Sequence, residues 1–488
     1  MNMNDLFTSV RSLFTPTYDW IPTSKNTNTT TDDTFSLRFS GKLLLQSEIP
    51  LEPSTFTHLV SINYLTPVIA IEKTPWGHRC RRCGVHKKRM LAFMPCAKCG
   101  KTHLYCRNCI EMGRITSCEP LYYWTGPLPS WTKQVKACQW QGELSRYQQT
   151  ASEQIVTTMK RGNDELLVWA VCGAGKTEML FDGIGKSIEE GKRVCLATPR
   201  TDVVREILPR FRSAFPDTDI SGLYGGSEDK DGTGQLVIST THQLFRFAHA
   251  FDIVIIDEID AFPFHSDPSL IFAANRAAKP DAARIYLTAT PRQKQRQRVE
   301  SKKLNAVFVP VRFHGHPLPV PTLQMDFQLK SSLKKYNPPK TFFTWYKNRS
   351  NPKRQLLIFV PTIKLAEEMV ETLSFSLNLT ENNPIYHVHA SDSNREERVQ
   401  QFRDKEFSIL ITTTILERGV TFPSVDVVVI DAGHSVFDEA ALVQIAGRAG
   451  RSPNDPTGEV IFFHEGKTNA IVQAVKSINL MNKRGGKL

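Results

Sequence analysis

The chain has 488 residues, 40% of them hydrophobic and 23% charged, so it can bury large cores and is not a disordered polymer. Its 61 lysines and arginines against 49 aspartates and glutamates leave a net charge of +12, which points to a polyanionic partner, nucleic acid or an anionic membrane surface. No apolar run approaches the roughly 18–20 residues of a membrane span, and the start MNMNDLFTSVRSLF lacks the apolar core of a signal peptide, so secreted and integral-membrane proteins are not expected.

Residues 1–75 show weak periodicity. The polar run Lys25–Asp33 reads as a solvated loop, and the segment as a partly disordered N-terminal extension. Residues 76–120 hold seven of the ten cysteines. In a large chain without an export signal, Cys-x-x-Cys pairs hold metal more often than they form disulfides. The pairs Cys80/Cys83, Cys96/Cys99 and Cys106/Cys109 are followed by Cys118. Two such pairs complete a tetrahedral thiolate site for Zn²⁺ with no open position, so the metal is structural. Cys80/Cys83 and Cys96/Cys99 continue into glycine as zinc knuckles do, whereas Cys106/Cys109 does not, and spacing leaves the choice of pairs open. A second ion using Cys96, Cys99 and a histidine or Cys118 is compatible with the pattern.

From His78 to Arg114 there are ten lysines and arginines and one glutamate, with Phe93 and Tyr105 among them. This suggests phosphate contacts and base stacking on single-stranded DNA. Arg81, Arg82, Lys87 and Lys88 are the expected contacts. The competing reading makes those arginines a screen for the negative zinc centre.

Beyond about Gln139, short β-branched runs alternate with helical periods. The first series is Leu166–Val171, Val194–Ala197, Leu236–Ser239, Ile253–Ile256 and Arg284–Leu287. The second is Leu356–Val360, Ile385–Val388, Ser408–Thr412, Val425–Ile430 and Glu459–Phe463. Apolar runs alternating with helices imply parallel sheets, hence an α/β chain with two tandem lobes, residues 121–305 and 306–488, preceded by the small zinc-binding module.

The first run enters Ala170-Val-Cys-Gly173-Ala174-Gly175-Lys176-Thr177 and then a helical segment from Glu178. This is a phosphate loop with alanine in place of the first glycine. Backbone N–H groups around Gly173, Ala174 and Gly175 curl about phosphate oxygens, Lys176 supplies a positive charge and Thr177 ligates Mg²⁺. Cys172 has no activating partner in the sequence and reads as a small filler. Asp257-Glu258-Ile-Asp260 follows the fourth run, with Asp257 expected on Mg²⁺ and Glu258 as the base for attacking water. Downstream, Thr412–Pro423 forms a hydroxyl-rich loop suited to phosphates. Gln444-Ile-Ala-Gly447-Arg448-Ala-Gly450-Arg451 sets two arginines three residues apart, expected on one side of a helix and suited to charge on a transferring phosphoryl group.

The ordered set of Gln148, GAGKT, Thr198-Pro-Arg200, Ser239-Thr240-Thr-His242, DEID, Thr288-Ala-Thr290, the Arg418-Gly-Val loop and QIAGRAGR resembles a superfamily 2 helicase motor of DEAD-box type over residues 139–475. The resemblance implies two RecA-like lobes that clamp ATP. Gln148 would read adenine, and Arg448 and Arg451 would act as finger and sensor. Thr198, Arg200, Thr240, Thr414 and Arg418 would line the nucleic-acid track or couple it to ATP. DEID departs from a strict DEAD.

A narrower likeness covers about residues 78–485. The cysteine module, VCGAGKTEM, DEIDAFP, TTTILERGVTFP and Arg312-Phe-His-Gly315 together resemble the ComFA family of late-competence ATPases. That likeness implies Cys80/Cys83 with Cys106/Cys109 as the main Zn²⁺ site. It also implies ATP and Mg²⁺ as cofactors and a cytoplasmic motor at the inner face of the membrane that pulls single-stranded DNA, with the channel ComEC and with ComFC as partners. A homo-oligomer is compatible with it. The rival expectations are a duplex-unwinding DNA or RNA helicase and a non-catalytic ATP-binding scaffold.

Overall fold

A computed structural model describes residues 18, 20–23, 33–131, 133–378 and 384–486. The starting segment and the polar run Lys25–Asp33, up to residue 32, lie outside them. The chain divides into two compact units. One comprises residues 1–142, 152–166 and 180–287, the other residues 143–151, 167–179 and 288–488.

The N-terminal part of the first unit is built from small antiparallel pieces. Strands β1 (Leu43–Leu44), β2 (Leu65–Val68) and β7 (Leu121–Trp124) form a sheet with β7 in the middle. Strands β3 (Ile71–Thr74) and β4 (Gly77–Cys80) make one hairpin, and β5 (Leu91–Pro95) and β6 (Thr102–Cys106) another. Helices Asp33–Phe39 and Pro53–Ser61 precede them, and Phe39, Leu44, Ile49, Leu59, Leu65 and Trp124 form a common core. Residues 33–75, expected to belong to a partly disordered extension, are therefore the frame on which the cysteine hairpins stand. Their apolar residues are spread over several short elements, which is why no single period stands out. The buried guanidinium of Arg276 donates to the carbonyl oxygens of Arg81, Arg82, Phe245 and Phe247, joining this module to the sheet that follows.

The first large sheet contains β8 (Glu165–Ala170), β9 (Val194–Thr198), β10 (Ile220–Leu223), β11 (Leu236–Thr240), β12 (Phe251–Ile256), β13 (Ala278–Thr288) and β14 (Asn305–Val309). Their order is β10-β11-β9-β12-β13-β8-β14. The pairings from β10 through β13 are parallel. Strands β9 and β11 are buried at every position, as their continuous apolar text requires.

The second sheet contains β15 (Thr322–Met325), β16 (Gln355–Phe359), β17 (Ile385–Val388), β18 (Ile409–Thr412), β19 (Val425–Val429) and β20 (Val460–His464). Their order is β15-β20-β19-β16-β18-β17, with every pairing parallel. Leu356, Ile358, Ile409, Ile411, Val428 and Ile461 face a core shared with Met369 and Leu373 of the helix Ile363–Ser376. The Thr362 hydroxyl caps that helix, accepting from the Leu365 N–H at 3.2 Å. These are the two α/β lobes expected from the sequence. Among the described residues, no helix is long and apolar enough to cross a membrane.

Candidate nucleotide site and cysteine module

The phosphate loop follows β8 and runs into the helix Glu178–Glu189. Gly173 and Gly175 hold φ of +78° and +66°, a region that side chains avoid, so the loop turns twice and aims its amides to one side. The Ala174 N–H donates to the Val171 carbonyl at 3.1 Å. Gln148, nine-tenths buried in the first turn of the helix Arg146–Arg161, donates from Nε2 to the Ala174 carbonyl at 2.9 Å. Its Oε1 accepts from the Ser145 N–H at 2.8 Å. Gln148 is thus tied to the loop. Lys176 and Thr177 follow at the start of the helix, both half-buried. Cys172 is buried as a small filler, and in the same unit its thiol donates to Gln444 Oε1 at 3.0 Å.

Asp257 and Glu258 stand just beyond the carboxyl end of β12. The Asp257 N–H donates to the Ala197 carbonyl at 2.8 Å, and Asp257 Oδ1 accepts from the Glu258 N–H at 2.9 Å. Glu258 has φ +53°, unusual for a residue with a side chain, and is 9% exposed. Strain of that kind persists where the surroundings impose it, commonly at functional positions.

Thr198 and Thr240 end the adjacent parallel strands β9 and β11 and are paired in register, so these two candidate track residues stand side by side. Arg200, next along the same edge, pairs with Asp202 at 3.2 Å. In the second sheet, Thr414 opens a short turn after β18. Arg418 is 3% exposed, with Nε 3.4 Å from Glu417 Oε1.

Arg448 and Arg451 differ from expectation. The helix Glu439–Ala446 ends before them, so both lie in the turn beyond it and not along a helix face. Two glycines, Gly447 and Gly450, lie between and beside them and weaken helix continuation. Arg448 is 1% exposed. Its Nε donates to the Glu417 carbonyl at 3.1 Å and its Nη1 to the Val420 carbonyl. Arg451 donates to the Gly447 carbonyl at 3.0 Å and to Thr421 Oγ1 at 3.2 Å. Both arginines hold the Glu417–Thr421 loop that carries Arg418.

A residue whose role the sequence does not announce stands beside the phosphate loop. Arg312 is 1% exposed, and its Cγ and Cδ lie 3.8–3.9 Å from where a Cβ on Gly173 would be. The next residue, Phe313, donates its N–H to the Gly173 carbonyl at 3.0 Å. Arg312 Nη1 donates to the Gly450 carbonyl, while Nε and Nη2 are buried without a hydrogen-bond partner among the described residues. Burial, with the charge of Arg451 nearby, pushes its pKa down to about 10. Buried donors left unmet suit an anionic ligand. Only the family-like string Arg312–Gly315 marked this place in the sequence.

In the module, Cys80, Cys83, Cys106 and Cys109 converge and are at most 2% exposed. The sulphurs of Cys80 and Cys109 are 3.9 Å apart and those of Cys83 and Cys106 3.5 Å. A disulfide needs about 2.05 Å, whereas ligands about 2.3 Å from a tetrahedral ion stand about 3.8 Å from one another. The four therefore fit a metal ion. Without one, the thiols of Cys106 and Cys80 hold the Cys83 thiol far above its usual range, because adjacent buried sulphurs cannot all ionise unaided. The structure brings Cys96 and Cys99 together with Cys118, away from that set.

The basic residues of the module divide. Arg82 is fully buried, its Nη2 2.7 Å from Glu48 Oε1, and Arg81 pairs with Glu72 at 2.9 Å. Neither is displayed to a polyanion, contrary to expectation, because each is used inside the module. Lys87, Lys88 and Arg89 are exposed.

Comparison with known proteins places similar sequences along most of the chain. Residues 27–123 match the competence protein ComFA N-terminal domain, 141–293 the type III restriction enzyme res subunit and 339–453 the helicase conserved C-terminal domain. The competence protein ComFA of Bacillus subtilis is 41% identical over 96% of this chain and 99% of its own length. That of Streptococcus pneumoniae is 40% identical over 80% of this chain and 91% of its own. Among solved structures, Saccharomyces cerevisiae Dbp5 bound to RNA and ADP BeF3 is similar in fold. It has a TM-score of 0.50 and 18% identity, over 71% of this chain and 88% of that one.

Proposed function

This chain belongs to the ComFA family of competence proteins, and on that footing we propose that it is an ATP-driven motor that moves along single-stranded DNA and helps draw transforming DNA into the cell. It is a nucleic-acid-dependent ATPase of helicase type. The observation that carries the reading is the glycine cradle tied to Gln148 through the Ala174 carbonyl.

Lys176 and the loop amides bind the phosphates, and Gln148 sits where the adenine edge would be read. Thr177 and Asp257 would hold Mg²⁺, which when bound offsets triphosphate charge. Glu258 takes the proton of the attacking water. Arg448 and Arg451 supply charge to the transferring phosphoryl group, and Arg312, with two unmet donors, joins them. Thr198, Arg200, Thr240, Thr414 and Arg418 touch the sugar–phosphate backbone, so little sequence preference is expected. Cys80, Cys83, Cys106 and Cys109 hold Zn²⁺ as a structural brace. The motor works at the cytoplasmic face of the membrane with ComEC and ComFC.

The test is ATP turnover with single-stranded DNA, duplex DNA and RNA at low and high salt. Single-stranded DNA should stimulate at least about tenfold more than the others. Lys176→Ala and Glu258→Gln should each cost at least about 100-fold in turnover while DNA binding survives. Equal stimulation by duplex or RNA would favour an unwinding helicase. No turnover with any nucleic acid would leave an ATP-binding scaffold.

A further inference from the structure

The tip of the β5–β6 hairpin repeats the local geometry of the buried cysteine site. At Cys80–Val85, the first cysteine's N–H donates to the Val85 carbonyl at 2.9 Å, and the Gly84 N–H donates back to the Cys80 carbonyl at 2.8 Å. At Cys96–Lys101, the Cys96 N–H donates to the Lys101 carbonyl at 2.9 Å, and the Gly100 N–H to the Cys96 carbonyl at 2.9 Å. Gly84 and Gly100 share a left-handed φ, +73° and +69°. The chain therefore folds the same Cys-x-x-Cys-Gly knuckle twice. Only the first knuckle is used by the four buried sulphurs.

The second knuckle has its own partners. Cys118 Sγ stands 3.6 Å from both Cys96 Sγ and Cys99 Sγ, and the three form one group. These separations are again those of ligands sharing a tetrahedral ion, and too long for a disulfide. His103 Nε2 lies 3.0 Å from Cys99 Sγ, and its Nδ1 lies 3.4 Å from Ser117 Oγ. Ser117 is fixed in turn: its N–H donates to the Leu104 carbonyl at 2.8 Å, and its Oγ accepts from the Leu104 N–H at 3.1 Å. An imidazole engaged through one nitrogen presents the other to a metal. Lys98 and Glu119 form an ion pair that holds the knuckle against the Cys118 segment.

We propose that the chain binds a second Zn²⁺ ion through the thiolates of Cys96, Cys99 and Cys118, with His103, which now contacts only Cys99 of the three, as the fourth ligand once its ring turns toward the ion. The two centres differ in exposure. The first is enclosed, while Cys99 is exposed and Cys96, Cys118 and His103 are half-exposed, so the second ion exchanges more readily. Three thiolates and a neutral imidazole leave it with one net negative charge, against two for the four-sulphur centre. Strand β6 carries His103 and ends in Cys106, so one strand supplies a ligand to each ion and braces the hairpin at both ends.

The test measures zinc per chain in the full-length protein by native mass spectrometry, with thiol titration before and after denaturation. Wild type should carry two ions, and Cys99→Ser or Cys118→Ser one, with unchanged melting of the rest of the chain. Ser117→Ala should weaken retention of the second ion against a chelator by roughly 10–100-fold. Cobalt-substituted His103→Ala should lose the visible bands of the second centre. A wild-type chain with one zinc, or Cys118→Ser still holding two, overturns the proposal. An unchanged cobalt spectrum in His103→Ala overturns the imidazole ligand.

Discussion

A Cβ on Gly175 would stand 2.5 Å from Nε2 of Gln148, the nitrogen that donates to the Ala174 carbonyl. The cradle and the glutamine are therefore fitted to each other without room for one methyl group. Gly175→Ala must relieve both that overlap and a φ of +66°. We expect a stability loss of about 1–3 kcal/mol and failure to bind a fluorescent ATP analogue in titration. Normal binding would show that the loop rearranges freely.

Lys87 and Lys88 are displayed, whereas Arg82 is fully buried against Glu48. Lys87→Ala/Lys88→Ala should weaken single-stranded DNA binding without lowering the melting temperature. The salt slope should flatten by about 0.7 per lost phosphate contact. Arg82→Ala should do the opposite and destabilise the module by about 1–3 kcal/mol, since it removes the charged partner of the part-buried Glu48. Fluorescence anisotropy at several salt concentrations and thermal melts separate the two.

Asp426 is fully buried in β19 and faces Arg349 at 2.8 Å and Arg354 at 3.4 Å, while accepting from the Glu459 N–H at 2.9 Å. Asp426→Asn leaves two buried guanidiniums short of countercharge. Urea unfolding should report a loss of about 3–5 kcal/mol. A smaller loss would mean that Asp455, which also pairs with Arg354, suffices alone.

Burial, aided by the charge of Arg193, pushes the Lys42 ammonium down to about 7. A lysine in the unfolded chain titrates near ~10.4. Between those values the unfolded state holds more protons, so stability rises with pH, and the penalty is fully present below the folded value. Lys42→Met should therefore be more stable than wild type at neutral pH, by on the order of 1–3 kcal/mol. Its stability should also change less between neutral pH and pH ~9.5. A less stable variant at neutral pH would contradict the sign.

Much of the two-lobed fold was legible in the sequence because buried parallel strands write themselves as continuous apolar runs. Strand β17, for example, spans Ile385–Val388 as expected, and β18 begins one residue later than expected. Strands β10, β14 and β15 lie at sheet edges and leave no such run: Ile220–Leu223 contains glycine, and Asn305–Val309 and Thr322–Met325 are only partly buried. The chemistry-bearing residues of the phosphate loop stood out because glycine, lysine and threonine recur there at fixed spacing. The fate of Arg82 did not, because its partner Glu48 lies 34 residues upstream. Arg312 was equally hidden: its place beside Gly173 is set by the path of the chain after β14.

Arg276 donates to the carbonyl oxygens of Arg81 and Arg82, which bridge Cys80 and Cys83, and also to Phe245 and Phe247. The hinge of the first knuckle is thus bolted to a helix nearly two hundred positions downstream. Excising the amino-terminal domain for biophysics would discard that bolt, leaving acceptor oxygens that only solvent could satisfy. Whoever studies metal retention on such a fragment would be measuring a looser object than the one built into the whole protein.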